Sequence, residues 1–104
     1  MKAAITALAL AASLTANAGF VSGNDLHSIL YEIGDKQSAG IGYIAGIFDA
    51  SDHCAPKTVT LDQVVDMVKE MLRVNPEIRN LDASLLVGSM LIKTWPCKKK
   101  TGSI

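Results

Sequence analysis

The chain is poor in side chains that do chemistry. Its 104 residues include two cysteines, two histidines and few aromatics: one Trp, two Tyr and two Phe. Five aromatic rings do not furnish stacking platforms for nucleic-acid bases. Lys and Arg balance Asp and Glu at ten each, so the electrostatic footprint of a nucleic-acid binder is missing. Strand-like alternation is almost absent, which argues against a sheet. Repeats, low-complexity tracts and linkers are also absent. A single domain is the natural expectation for this length.

The amino terminus reads as an export signal. Lys2 precedes an apolar run over residues 3–14 that only Thr6 and Ser13 interrupt, and Ala16-Asn17-Ala18 follows as a small-x-small cleavage pattern. The run is shorter than the roughly 20 apolar residues of a membrane span. Residues 1–18 are therefore expected to be removed, leaving a helical domain over residues 19–104. Part of the positive mean hydropathy of +0.27 leaves with the signal. No second long apolar run follows, so the mature chain is expected to be soluble, periplasmic and free of the membrane. Near the other end, Lys98-Lys99-Lys100 reads as a solvated tail.

What is present is helical punctuation. Ser22 or Asn24 can cap a first helix carrying Leu26, Ile29, Leu30 and Ile33 on one stripe, with Gly34 as its stop. Residues 37–50 continue the apolar spacing but are dense in small residues. Each glycine costs a helix roughly 1 kcal/mol relative to alanine. Gly42 and Gly46, four apart, would let another helix approach closely, within the chain or from a second copy. After a loop over residues 49–59 comes a capping box, Thr60 with Gln63. It opens a helix with Leu61, Val64, Val65, Val68, Met71 and Leu72 on one side, and Asp62, Asp66, Lys69, Glu70 and Arg73 on the other. Asn75-Pro76 ends it. A last helix starts at Asn80 or Asp82, carries Ala83, Leu86, Val87, Met90, Leu91 and Thr94, and stops at Trp95-Pro96. The expected fold is all-α, a small domain of four to five helices.

Cys54 and Cys97 are the only cysteines, and in an exported domain of this size a brace between them is expected. It would close a loop of about 44 residues and contribute at most roughly 4 kcal/mol. Free thiols and an intermolecular bridge are the competing readings.

No catalytic constellation stands up, and the chain reads as a non-enzyme without cofactor or metal. His27, on a helix surface, and His53, in a loop, read as solvated side chains. The cluster Asp49, Asp52, His53 and Cys54 lacks a second group at ligand spacing, and oxidation of Cys54 would remove the one candidate nucleophile. The run Gly40-x-Gly42-x-x-x-Gly46 lacks the preceding strand and the spacing of a phosphate loop.

Five blocks in order carry a resemblance. They are Gly23-Asn24-Asp25-Leu26, then residues 42–50 (GYIAGIFDA), then Cys54-x-Pro56 with Val59-Thr60-x-x-Gln63-Val64-x-Asp66. Asn75-Pro76-Glu77-x-Arg79 with Ala83 follows, and Trp95-Pro96-Cys97 closes the series. Over residues 23–97 the chain resembles the Rap/Tai family of periplasmic immunity proteins against type VI secretion amidases. The resemblance implies a small all-helical fold and a bridge between Cys54 and Cys97. It also implies inhibition of a peptidoglycan amidase effector by a homodimer that presents a protruding surface. Many relatives carry an additional cysteine pair near the positions of Leu30 and Gly40, which this chain lacks, and the connection over residues 49–54 is short. Asp49, Ser51, Asp52, His53 and Lys57 are the candidate partner-binding residues, on a loop that the bridge would anchor. Gly42 and Gly46 are the candidate helix-packing or dimer positions. The rival reading is a periplasmic acid-stress chaperone of the HdeA type, or an uncharacterised envelope protein of the same fold.

Overall fold

The structure, a computed structural model, describes residues 21–98. The expected signal segment, residues 1–18, lies outside them. Four α-helices follow in order: α1 (Gly23–Leu30), α2 (Asp35–Ala50), α3 (Leu61–Val74) and α4 (Ala83–Thr94), with a 3-10 turn at Pro76–Ile78 before α4. No strand occurs among the described residues, and the all-α expectation holds. No helix among them is long and apolar enough to cross a membrane.

Each boundary has a local cause. The Asp25 amide donates to Ser22 Oγ (3.0 Å) and the Ser22 amide to Asp25 Oδ2 (3.1 Å), so Ser22 rather than Asn24 is the cap. The Thr60–Gln63 box forms as expected, with the Gln63 amide donating to Thr60 Oγ1 at 3.2 Å. Helix α1 ends earlier than its stripe implied. Gln37 Nε2 reaches back to the Leu30 carbonyl (2.9 Å), and Ile33 lies past the end, 95% exposed. Gly34 adopts φ 110°, a conformation suited to glycine, and caps the start of α2.

The core takes Leu26 and Leu30 from α1, Ile44 from α2, and Val64, Val65, Val68 and Leu72 from α3. Helix α4 adds Ala83, Leu86, Val87 and Leu91. No polar or charged residue among those described is fully buried, so burial of apolar surface holds the helices together without buried ion pairs. Helix α1 packs on all three others, and α2 packs on both α3 and α4. The pair α3 and α4, although consecutive, is not among the close pairings.

A seam ties the start of α1 to the start of α4. The Gly23 amide donates to the Leu81 carbonyl (2.8 Å), the Asn24 amide to Arg79 (2.7 Å), and the Ala83 amide to Val21 (2.7 Å). These bonds satisfy donors that a helix start leaves over. They also bring α1 so close that a Cβ on Gly23 would lie 2.7 Å from Leu86 Cδ1 and 2.9 Å from the Arg79 carbonyl oxygen. Gly40 is the other tight position, where a Cβ would lie 2.8 Å from Ile29 Cγ2 and 3.3 Å from Leu30 Cδ2. Leu30 and Gly40 are thus neighbours, a leucine seated against a glycine.

The glycines expected to admit a neighbouring helix are different ones. Gly42 and Gly46 are exposed, and a Cβ on either would meet nothing within 4 Å. Within the described chain no helix packs on them, which corrects the intrachain reading; they lie on the outer face of α2. Gly23→Ala should therefore destabilise the protein by about 1–3 kcal/mol. Gly42→Ala and Gly46→Ala should each stabilise it by about 0.4–1 kcal/mol. Guanidinium unfolding at low protein concentration measures all three.

Candidate functional site, a loop fastened to the end of the last helix

Between α2 and α3 the chain is fastened at several points. The Ser51 amide closes α2 on the Ile47 carbonyl (2.9 Å). Cys54 is bonded to Cys97 with Cα atoms 4.9 Å apart, and its amide donates to the Trp95 carbonyl (2.8 Å). The Val59 amide bonds to the Pro56 carbonyl (3.1 Å) just before the Thr60 cap. A segment of about ten residues is thereby held by both flanking helices and by the end of α4.

The five candidate partner-binding residues divide into two groups. Asp49, Asp52 and Lys57 are exposed. Ser51 is half-buried, and a Cβ on Gly88 of α4 would lie 3.4 Å from its Oγ. His53 is turned inward and is not a freely solvated side chain. Its Nδ1 accepts from the Ala55 amide (3.1 Å), which leaves Nε2 as the donor to the Phe48 carbonyl (2.9 Å). Its ring lies 4.3 Å from the Phe48 ring and 6.4 Å from Trp95, centroid to centroid. His53 therefore shapes the loop from within. With both ring nitrogens bonded to backbone and Cys54 in the bridge, residues 49–54 have no free imidazole or thiol for a metal. Among the described residues no three His, Cys, Asp or Glu side chains gather as a metal site.

Beside this loop is a small recess of about 160 Å³ lined by Ala45, Phe48, Asp49, Val59, Thr60, Leu61 and Val64. Leu61, placed on the inner side of α3 by its spacing, is 41% exposed here. It stands at the mouth of the helix, where the capping turn has not yet rotated it into the core. The recess was not evident from periodicity, because it depends on how α2 and α3 diverge from the loop. Gly42, Gly46 and Asp49 follow at helical spacing along α2, so the open glycine face runs into the acidic start of the loop.

A family model described as Rap1a immunity proteins matches residues 22–97. The chain belongs to this immunity protein family. No curated protein and no solved structure matches it. The Rap1a match begins at the Ser22 cap and ends at Cys97, so it spans the seam, all four helices and the bridge. Many residues of the ordered blocks prove to be scaffold. Gly23 sits in the seam, Thr60 and Gln63 make a cap, Asn75 Nδ2 holds the Met71 carbonyl (2.8 Å), and Cys54 and Cys97 make the bridge.

The other histidine lies away from the loop. His27 on α1 is half-buried, packed edge-on against Tyr31 at 5.2 Å between ring centroids. Its Nδ1 and the Nε of Arg79 are buried without a hydrogen-bond partner. Burial, followed by the charge of Arg79, holds its pKa below the ordinary 6.5. The unfolded chain therefore binds the proton more readily. The contribution of His27 to stability is complete above about pH 6.5 and is lost as pH falls from there through the lowered folded value. In urea unfolding from pH 8 to 5, the natural chain should lose more stability on acidification than His27→Gln. Equal slopes would mean that His27 is not the group responsible.

Proposed function

We propose that this immunity protein is exported to the periplasm, where it protects the cell's peptidoglycan by binding an amidase effector of a type VI secretion system and occluding its active-site groove. Membership of the Rap1a family over residues 22–97 is the observation that carries the reading. The fastened loop supplies the surface: Asp49, Asp52 and Lys57 meet the effector, while His53 and the bridge hold their backbone in place. A loop backbone ordered before binding lowers the ordering cost of association. Its charges favour encounter with a groove of complementary sign. The recess by Leu61 offers a socket for an apolar side chain of the effector. A second copy packing on the Gly42–Gly46 face would place two such loops on one assembly, the homodimer expected of this family.

The test is co-purification with a small cysteine-histidine amidase encoded beside this gene, followed by titration of the pair. Asp49→Lys/Asp52→Lys should weaken affinity by at least about tenfold with an unchanged unfolding midpoint. Unchanged affinity would remove the loop from the contact. Failure of the natural chain to rescue cells that express the amidase in the periplasm would remove the amidase itself.

A further inference from the structure

A shallow groove of about 610 Å³ runs along α3 and reaches Met90 of α4. Met67 and Met71 of α3 and Met90 of α4 line it, together with Asp66 and Glu70. Apart from Met1, these are all the methionines in the chain. Methionine is unbranched and polarisable, and surfaces rich in it accept varied apolar side chains by repacking. The groove shares no lining residue with the recess at the loop.

Carboxylates of α3 lie in and beside the groove. Asp62, Asp66 and Glu70 follow at four-residue intervals and form an exposed ridge along α3. Asp62, in the first turn, favours the start of the helix, whereas Asp66 lies between two like charges at a spacing that repels. Arg73 pairs with Glu70 at 2.7 Å, but Asp62 and Asp66 have no ion-pair partner among the described residues. No Lys, Arg or His lines the groove.

We propose that this groove docks a cationic amphipathic segment of a partner protein. An apolar face seats among Met67, Met71 and Met90, and flanking Lys or Arg side chains reach Asp62 and Asp66. This is helix-in-groove recognition with electrostatic register. It rests on the reading of the chain as an effector binder, and it assigns that binder a contact surface separate from the loop.

The probe is a synthetic amphipathic peptide of Leu and Lys, about 14 residues or four turns long, and its counterpart with Glu in place of Lys. Protein carrying ¹³C-methyl methionine is titrated with each. The Lys peptide should shift the signals of Met67, Met71 and Met90, with affinity falling as salt rises. Asp62→Lys/Asp66→Lys should weaken it at least about tenfold, and the Glu peptide should shift nothing. Absence of shifts, or equal binding by the reversed variant, overturns the proposal. A chain ending at Cys97 whose methionine signals already differ without peptide would make the Lys98–Lys100 tail the occupant and overturn it as well. None of these outcomes depends on the amidase, whose failure to bind is read separately in the co-purification.

Discussion

The bond between Cys54 and Cys97 determines what the other interactions can do. It joins the exit of α2 to the residues just past α4, across a sequence separation of 43. Closing a loop of that length stabilises the fold by roughly 4 kcal/mol at most. For a small domain whose whole stability is about 5–15 kcal/mol, that is a large share. The bond is local as well as global in effect. It sits beside the Cys54–Trp95 backbone hydrogen bond and the packing of His53 against Phe48 and Trp95. Side chains that look idle on an exposed loop are therefore mounted on a fixed backbone.

The opposite end of the bundle is held by backbone alone. The seam of residues 21–24 against 79–83 works because Gly23 has no Cβ, and α1 can then contact every other helix. Between the two fastenings, α1 and α2 close with Leu30 against Gly40, while α3 and α4 meet mainly through the shared core. The surfaces proposed for recognition are the outer loop, the bare face of α2 and the methionine groove, where Met71 and Met90 also pack against the core.

Legibility followed the range of each interaction. The Thr60–Gln63 cap and the stop at Asn75-Pro76 depend on neighbours within a few residues, and both were readable. The first helix was read too long, because Ile33 keeps the period while Gln37, seven residues beyond Leu30, takes the last carbonyl. The glycines show the limit more sharply. Which face of α2 meets a partner depends on the rotation of the helix, so Gly42 and Gly46 looked like contact positions while Gly40 and Gly23 make the contacts. His53 looked solvated because its backbone partners at Phe48 and Ala55 depend on how the loop folds back on α2, and Trp95 comes from the end of α4. The methionine groove brings Met90 of α4 beside Met67 and Met71 of α3, a placement that no local pattern encodes.

Native-state hydrogen exchange, comparing the oxidised protein with Cys54→Ala/Cys97→Ala, tests most directly whether the bridge holds the loop. Both proteins should keep the four helices, and amides in the core of α1 and α3 should lose protection together as global stability falls. The amides of Cys54 and Ala55 should lose more than that common amount, because their acceptors on Trp95 and His53 are no longer held in place. If those two amides remain as protected as the helix cores allow, the loop is ordered without the bridge and the account is wrong.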